Sequence, residues 1–466
     1  MKLYRYRTVE NAIKEIENGT FYFPTLEELN DPIEGFVSIY WKGDKIAWEG
    51  MLSNYICSVN NVFELYLIGT DEKSYESYCR KKLILDLTKC KDIPLEKLNK
   101  EITKELLEDE EVKKIIELYG DNEIKVKEKE LRMILFYIHM KALMICFVKA
   151  MKYGVIPDIN TELLIKKYIE SKNIGMPFAE LRMQAKSGIV FETANNFMED
   201  ITDAKAVELI SMKDKNYGDI TSDNEPRVNK NWAILVGDIP FLYVEQLKRL
   251  LYPEFSVICF SEANDNSSMW GNYADNHRGV CLEYDTGDGN SISIENISKN
   301  LKKVIYGGDT FELNFFESLG RLNMQQVRSW LSGENGISKL ISCYENKEAW
   351  QDRYWKTFEK KSCYKIKDWE GEKEYRIIRT DIFSEFDDKE KRICKYETKV
   401  LKGVIFGIRT SVEDKARILR ALKNNRAYSE GIAFYQEEYD EFKQRIKVRK
   451  KDAAIWNLGL VDSVEL

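Results

Sequence analysis

The sequence predicts an α+β fold whose β-sheet core is split between the two chain ends, with a large helical insertion between them. Strand-like runs of aromatic and β-branched residues occupy the first 35 residues and return after Pro253, beyond which the chain has no proline. From about 85 to 250 the texture changes to apolar residues at helical spacing among many lysines and glutamates. The simplest arrangement joins the two β-rich ends into one discontinuous core, residues 1–50 and 251–450. A mainly helical insertion then occupies 51–250 and a C-terminal tail 451–466.

The elements follow in order. Lys2–Arg7 reads as a strand with Leu3, Arg5 and Arg7 on one face and Tyr4 and Tyr6 on the other. Thr8 is placed to cap a helix running to about Asn18, which Gly19 ends. Thr20–Phe23 reads as a second strand, and Thr25-Leu26-Glu27-Glu28 is a capping-box pattern for one further turn. Asn30-Asp31-Pro32 then forces a turn, because the Asn and Asp side chains bond local backbone and proline fixes φ. In the middle, Leu95–Leu118, Glu128–Tyr153 and Asn160–Ser171 have helical spacing, with Pro157, Pro177, Pro226 and Pro240 between such segments and a weaker stretch at Asp214–Arg227. Beyond Pro253, strands are expected at Phe255–Phe260, Gly279–Tyr284, Tyr375–Arg379 and Val404–Ile408. Helices are expected at Phe315–Trp330, Glu348–Lys360 and Ser411–Lys423, the last capped by Ser411 with Glu413 and Asp414 in its first turn.

Bulk properties narrow the function classes. The 466-residue chain is 44% hydrophobic, and its 71 basic and 78 acidic residues leave a net charge of -7. A whole-chain basic field for nucleic acid is therefore absent, and only a local basic groove would serve. The 9 cysteines are odd in number, no two are spaced as Cys-X-X-Cys, and the only histidines are His139 and His277. A Cys/His zinc site has little to draw on, and scattered thiols of this kind suit a reducing cytoplasm. The first residues carry charges with no apolar run behind them, unlike a signal peptide. The longest apolar stretch, Met133 to Tyr153, is interrupted by His139, Lys141, Lys149 and Lys152, so it reads as a buried helix and no membrane contact is expected.

Three polar segments are candidates for chemistry. The first joins Tyr4-Arg5-Tyr6-Arg7 to Asn30-Asp31-Pro32. Arginines alternating with aromatics can grip a phosphate and stack a base, although the same pattern suits an edge strand with solvated arginines and core tyrosines. Asn30 and Asp31 either touch ligand or only shape the turn. The second runs from Cys259-Phe260-Ser261 to Met269-Trp270-Gly271-Asn272-Tyr273-Ala274-Asp275-Asn276-His277-Arg278-Gly279. Helical spacing puts Trp270, Tyr273, Ala274 and His277 on one face, and His277 either bonds a ligand or caps the helix end. Ser261 lacks the glycines of a nucleophile elbow, which argues against a Ser-His hydrolase. The third is Trp369-Glu370-Gly371-Glu372-Lys373-Glu374-Tyr375-Arg376. If extended, it projects Glu370, Glu372 and Glu374 to one side, as two-carboxylate chemistry at a glycosidic bond requires or as a solvated turn allows. A divalent metal on these acids is a weaker option, because no Asp-rich motif accompanies them.

Taken in order, these segments resemble the bacterial family catalogued as domain of unknown function 2971. The carrying residues are Leu3 to Tyr6, Phe21-Tyr22-Phe23-Pro24, Leu29 to Glu34, Cys259 to Ser261, Met269 to Tyr284, Trp369 to Arg376, and Val404 to Thr410. The likeness covers residues 1–40 and about 255–425 and leaves the helical middle unmatched. Its motif layout is similar to that of ADP-ribosyltransferases. The resemblance therefore implies an ADP-ribosyltransferase-like split core that consumes NAD as a substrate and needs no metal. It implies that Arg5 grips the NAD diphosphate and Ser261 supports the nicotinamide end. Glu374 then holds the nicotinamide ribose, and Glu372 prepares the acceptor. Phe260-Ser261-Glu262 departs from the family's Ser-Thr-Ser run, and Tyr4, Tyr273 and His277 form an alternative pocket of the His-Tyr-Glu type. The expectation is a cytoplasmic ADP-ribosyltransferase of the toxin or phage-defence kind acting on a protein or nucleic-acid acceptor. Two alternatives stand beside it. One is an NAD glycohydrolase. The other is a non-catalytic nucleotide-sensing or protein-interaction module that binds through Arg5, Trp270 and Tyr273.

Overall fold

The computed structural model describes residues 1–155 and 230–452, apart from 32–33, 36, 90–92, 122–123, 288, 308–311, 335, 382–384 and 426–430. The expected helix Asn160–Ser171, the stretch Asp214–Arg227 and nearly all of the C-terminal tail lie outside the described residues. The chain is mixed α+β and divides into two compact units. The first comprises Met1–Phe36, Pro253–Thr310 and Lys356–Leu466, and the second Val37–Tyr252 and Phe311–Trp355. The expected core of 1–50 and 251–450 is thus narrower at its first piece and interrupted at 311–355.

An eight-stranded sheet organises the first unit. Its strands are β1 (Lys2–Arg7), β2 (Glu254–Ser261), β3 (Val280–Asp285), β4 (Lys302–Lys303), β5 (Glu374–Asp381), β6 (Leu401–Phe406), β7 (Ala433–Asp440) and β8 (Arg445–Lys450). Their order is β8-β7-β6-β3-β1-β2-β5-β4, so the two chain ends do build one sheet. Every neighbour pair is antiparallel except β6 with β7. The pairing is uneven. β1 matches β3 over all six residues, Lys2↔Asp285 to Arg7↔Val280, whereas it meets β2 only at Tyr4↔Ser261. β5 pairs with β2 along its whole length, from Glu374↔Ser261 to Asp381↔Glu254.

Alternation along the strands sorts side chains onto two faces. Leu3, Ile258, Phe260, Leu282, Ile377 and Val404 join one apolar core with Phe21 and Phe23. Helices α1 (Val9–Asn18) and α3 (Val412–Asn424) cover that face through Val9, Ala12, Ile16, Ile418, Ala421 and Leu422. Burying each large apolar side chain contributes about 1.5–3 kcal/mol, so this face supplies most of the hydrophobic drive. The caps behave as expected. Thr8 accepts from the Asn11 N–H, Gly19 closes α1 with φ 59°, and Ser411 accepts from the Asp414 N–H. The other face has a smaller cluster of Tyr4, Tyr6, Trp270, Ala274, Cys281 and Ile405, covered by helix α2 (Ser267–Tyr273).

The second unit centres on the helix Lys45–Leu67, which is buried on most sides and packs against Ile93–Glu108, Glu110–Asp121 and Glu128–Lys152. The expected helix Leu95–Leu118 is therefore two helices, and Asp109 between them caps the second by accepting from the Glu111 and Val112 N–H groups. Helix Glu128–Lys152 is long and apolar enough to cross a membrane, and half of its most apolar window is buried within the protein. His139 on that helix is buried. Its Nδ1 accepts from the Tyr55 hydroxyl at 2.8 Å, and its Nε2–H donates to the Leu235 carbonyl at 2.7 Å. Burial lowers its pKa to about 4, so it is a neutral, fully bonded core histidine. The expected helix Phe315–Trp330 is also shorter, a 3₁₀ turn at Phe315–Glu317 followed by Met324–Trp330.

A paired substitution tests the packing of the α2–β3 corner. A Cβ on Gly279 would lie 2.2 Å from the Arg7 carbonyl oxygen, whereas one on Gly271 would meet nothing within 4 Å. Urea unfolding should show Gly279→Ala losing roughly 1–3 kcal/mol by overpacking. Gly271→Ala, inside α2, should gain about 0.5–1 kcal/mol.

Candidate functional site

The site forms where the sheet divides. Beyond their bridge at Tyr4 and Ser261, β1 and β2 part and leave a cleft of about 410 Å³ between them. Tyr4, Ser261 and Glu374 occupy matched positions on three adjacent strands, β1, β2 and β5, so their side chains share one face. The cleft is lined by these three together with Arg5, Asn30, Tyr273 and Glu372. The loop after Thr20–Tyr22 closes its side with Pro24, Glu28 and Leu29.

The floor is a buried network of charge. Glu374 is held by Arg376, whose Nε lies 2.6 Å from Oε1 and Nη2 3.0 Å from Oε2. The Arg376 guanidinium also bonds Glu34 and, through Nη1, the Ser362 carbonyl at 2.9 Å. The Lys365 ammonium is 2.6 Å from Glu372, 3.4 Å from Glu374 and 3.8 Å from Glu34. Tyr273 completes the set by donating to Glu372 Oε1 at 2.7 Å. Burial raises the Glu374 carboxyl to about 7, against the opposing pull of Lys365. Burial works against the Lys365 charge, yet Glu374 and Glu372 prevail and raise its pKa.

Local backbone explains how both acids reach the floor. Residues 367–372 form a 3₁₀ turn rather than the expected extended segment, and Lys373 ends it in the left-handed region at φ 46°. That reversal, and not strand alternation, brings Glu372 and Glu374 to the same place, while Glu370 is exposed. The Ser261 hydroxyl donates to the Glu372 carbonyl at 2.7 Å and accepts from the Ala263 N–H at 3.1 Å. Ser261 therefore ties the acidic turn to β2. The Glu374 N–H donates to the Tyr306 hydroxyl at 2.7 Å, which fixes the start of β5.

The arginines sit differently from the acids. Arg5 lies on the apolar face, 4.9 Å from the Phe21 ring centre, and Nη1 donates to Glu15 at 3.0 Å. Arg7 also donates to Glu15, at 3.2 Å, but its side chain is 27% exposed against 3% for Arg5. Both line the cleft, with Thr8 and Asn11 beside them at the start of α1. Of the two arginines that share this face, Arg7 has the more accessible guanidinium.

Other expected residues lie outside the cleft lining. Trp270 is buried behind it, edge-on to Tyr6 at 5.2 Å, with its indole N–H donated to the Asn264 carbonyl at 3.0 Å. α2 ends at Tyr273, so His277 is not on the helical face expected for it. Asp275, Asn276 and His277 are successive left-handed residues, with φ 46°, 52° and 67°. His277 Nδ1 is 2.7 Å from the buried Glu437, which also accepts from the Ile408 N–H at 2.9 Å. His277 thus links the α2–β3 turn to β7, and Glu437 in turn holds the segment after β6. Asp31, in the loop that carries Asn30, is buried and close enough to Arg376 to support its charge. Among the described residues no group of three His, Cys, Asp or Glu side chains could hold a metal ion.

Sequence patterns did not single out Glu34, Lys365 or Arg376 as site residues. Glu34 adjoins a polar motif and Arg376 ends one, whereas Lys365 has no local signal because its importance comes from β5 and the acidic turn folding over it. The loop that carries Asn30 and Glu34 is stapled by Glu28. This carboxylate accepts from the Thr25 N–H and the Tyr22 hydroxyl and is paired with Arg392 on both of that residue's terminal nitrogens. The Arg392 guanidinium holds the Glu28 carboxyl down at about 2 despite partial burial. A lowered acid stabilises the fold above its ordinary range and loses that contribution as pH falls. Glu28→Gln should therefore be less stable than wild type in urea unfolding at pH 7, and the gap should narrow at pH 3.

Residues 269–377 match the model of a family described as a protein of unknown function, DUF2971. The matched stretch is under a quarter of the chain and includes Tyr273, Lys365, Glu372 and Glu374. No curated protein and no solved structure matches.

Proposed function

We propose that this chain is an ADP-ribosyltransferase that takes NAD into the cleft between β1 and β2 and passes ADP-ribose to a macromolecular acceptor. The observation that carries the proposal is the row of Tyr4, Ser261 and Glu374 on adjacent strands at the split in the sheet. Two arginines and the start of α1 line the same cleft. Arginine forks and a helix N-terminus suit a diphosphate, and tyrosines suit the rings. Glu374 suits the cationic sugar centre that appears as the C1′–nitrogen bond breaks and nicotinamide leaves with the electron pair. A carboxylate already fixed by Arg376 and Lys365 needs little reorganisation to stabilise that charge. The acceptor's lone pair then forms the new bond to C1′, and Glu372 takes the acceptor's proton. The resemblance from which this proposal grew also suggests a cytoplasmic toxin or phage-defence effector.

One observation favours a second reading. Glu372 and Glu374 are each engaged by buried cations, as they would be in a module that binds a nucleotide without cleaving it. Nicotinamide release from NAD in cell lysate, followed by chromatography and mass spectrometry, separates the readings. On the proposed function, Glu374→Gln loses about 10²–10³-fold in turnover, the scale of removing one electrostatic stabiliser. Glu372→Gln loses transfer to acceptor more than hydrolysis. If wild type consumes no NAD in lysate containing nucleic acid and protein, the binding reading replaces the enzyme. Because the ionised Glu374 is the active form and burial raises it to about 7, turnover should climb with pH through neutrality.

A further inference from the structure

We propose that Lys365 is a positioning residue of this site, its single ammonium holding the carboxylates of Glu372 and Glu374 aimed into the cleft and opposing the uptake of a proton there. The inference rests on the proposed function, but it concerns a residue that no sequence motif marks. Lys365 is only 4% exposed and lies on the two-residue strand Tyr364–Lys365, which pairs in parallel with Ile305–Tyr306. Its Nζ also stands 4.8 Å from the centre of the Trp369 ring, which backs it on the side of the acidic turn.

The distribution of charge gives Lys365 its role. Arg376 serves Glu374 and Glu34. The ion-pair partner of Glu372 is Lys365, its other hydrogen bond coming from the neutral Tyr273 hydroxyl. Cys259 faces Glu374 from β2 and Tyr306 faces it from the neighbouring short strand, both uncharged at neutral pH. Asp31 adds negative charge near Arg376. Removing the ammonium would leave several buried acids around one remaining cation. Buried acids in that position take up protons rather than remain as uncompensated charge. A proton would then settle on Glu374, the group the reaction needs ionised.

The test compares wild type with Lys365→Met, Lys365→Gln and Lys365→Arg. Carbon-13 NMR of glutamate-labelled protein, with signals assigned through Glu372→Gln and Glu374→Gln, follows the two carboxyls directly. The proposal expects the Glu374 midpoint to rise by one pH unit or more in the Met variant, and Arg to restore it. In NAD turnover the acid limb should move up by the same amount, making turnover at pH 7 about fivefold slower for a one-unit rise. If Met does not fold, the uncharged Gln variant carries the same comparison. An unchanged Glu374 midpoint in a folded, uncharged variant would overturn the role of Lys365. Should wild type consume no NAD, the enzyme reading fails, while the NMR midpoints still decide what Lys365 does.

Discussion

The bridge between Tyr4 and Ser261 is the constraint on which the site depends. Had β1 continued alongside β2, the two strands would have closed the sheet and filled the space that now forms the cleft. One pair instead of a ladder keeps the strands attached and lets them diverge. Continuity is supplied on either side. β1 is fully laddered to β3 and β2 to β5, so the opening lies between two well-bonded halves of the sheet. The halves share the apolar core that α1 and α3 cover, which compensates for the missing backbone bonds with buried surface.

The second constraint is electrostatic. Glu34, Glu372, Glu374, Lys365 and Arg376 are all buried. Ions removed from water are tolerated only where partners and hydrogen bonds replace hydration. The replacements come from two distant parts of the chain: the loop after residue 30, and the continuous stretch that runs through the short strand at 364–365, the 3₁₀ turn and the start of β5. The network therefore links pieces of the first unit that backbone pairing alone would leave independent. It also gives the cleft two poles, guanidinium groups near α1 and carboxylates at the floor.

Much of this was legible in the sequence. The alternation in Leu3-Tyr4-Arg5-Tyr6-Arg7 gave the two faces of β1, and Thr8 and Gly19 marked both ends of α1, because caps and strand periodicity are local properties. Tyr4, Ser261, Tyr273, Glu372 and Glu374 were named from polar motifs, and the structure gathers them in one cleft. The misses have physical causes. Strand alternation suggested that Glu370, Glu372 and Glu374 share a side, but the left-handed Lys373 replaces that geometry with a turn. β7 went unseen because charges at Glu437, Glu438 and Asp440 blur the period of two, whereas β8 does alternate Ile446 and Val448 with charged residues but carries only two apolar side chains to signal it. Lys365 was silent, since a buried lysine reads like a surface one until its three acids are located.

The middle position of β1 also bears on how the protein is made. Its neighbours β3 and β2 lie far along the chain, and the strand that bears Glu374 is translated later still. A nascent chain carries β1 through synthesis of more than half the polypeptide before either partner exists. Long-range pairing of this kind makes folding slow and commits it late. The arginines and the acids consequently meet only in a nearly finished molecule, so a truncated or stalled product has no assembled cleft.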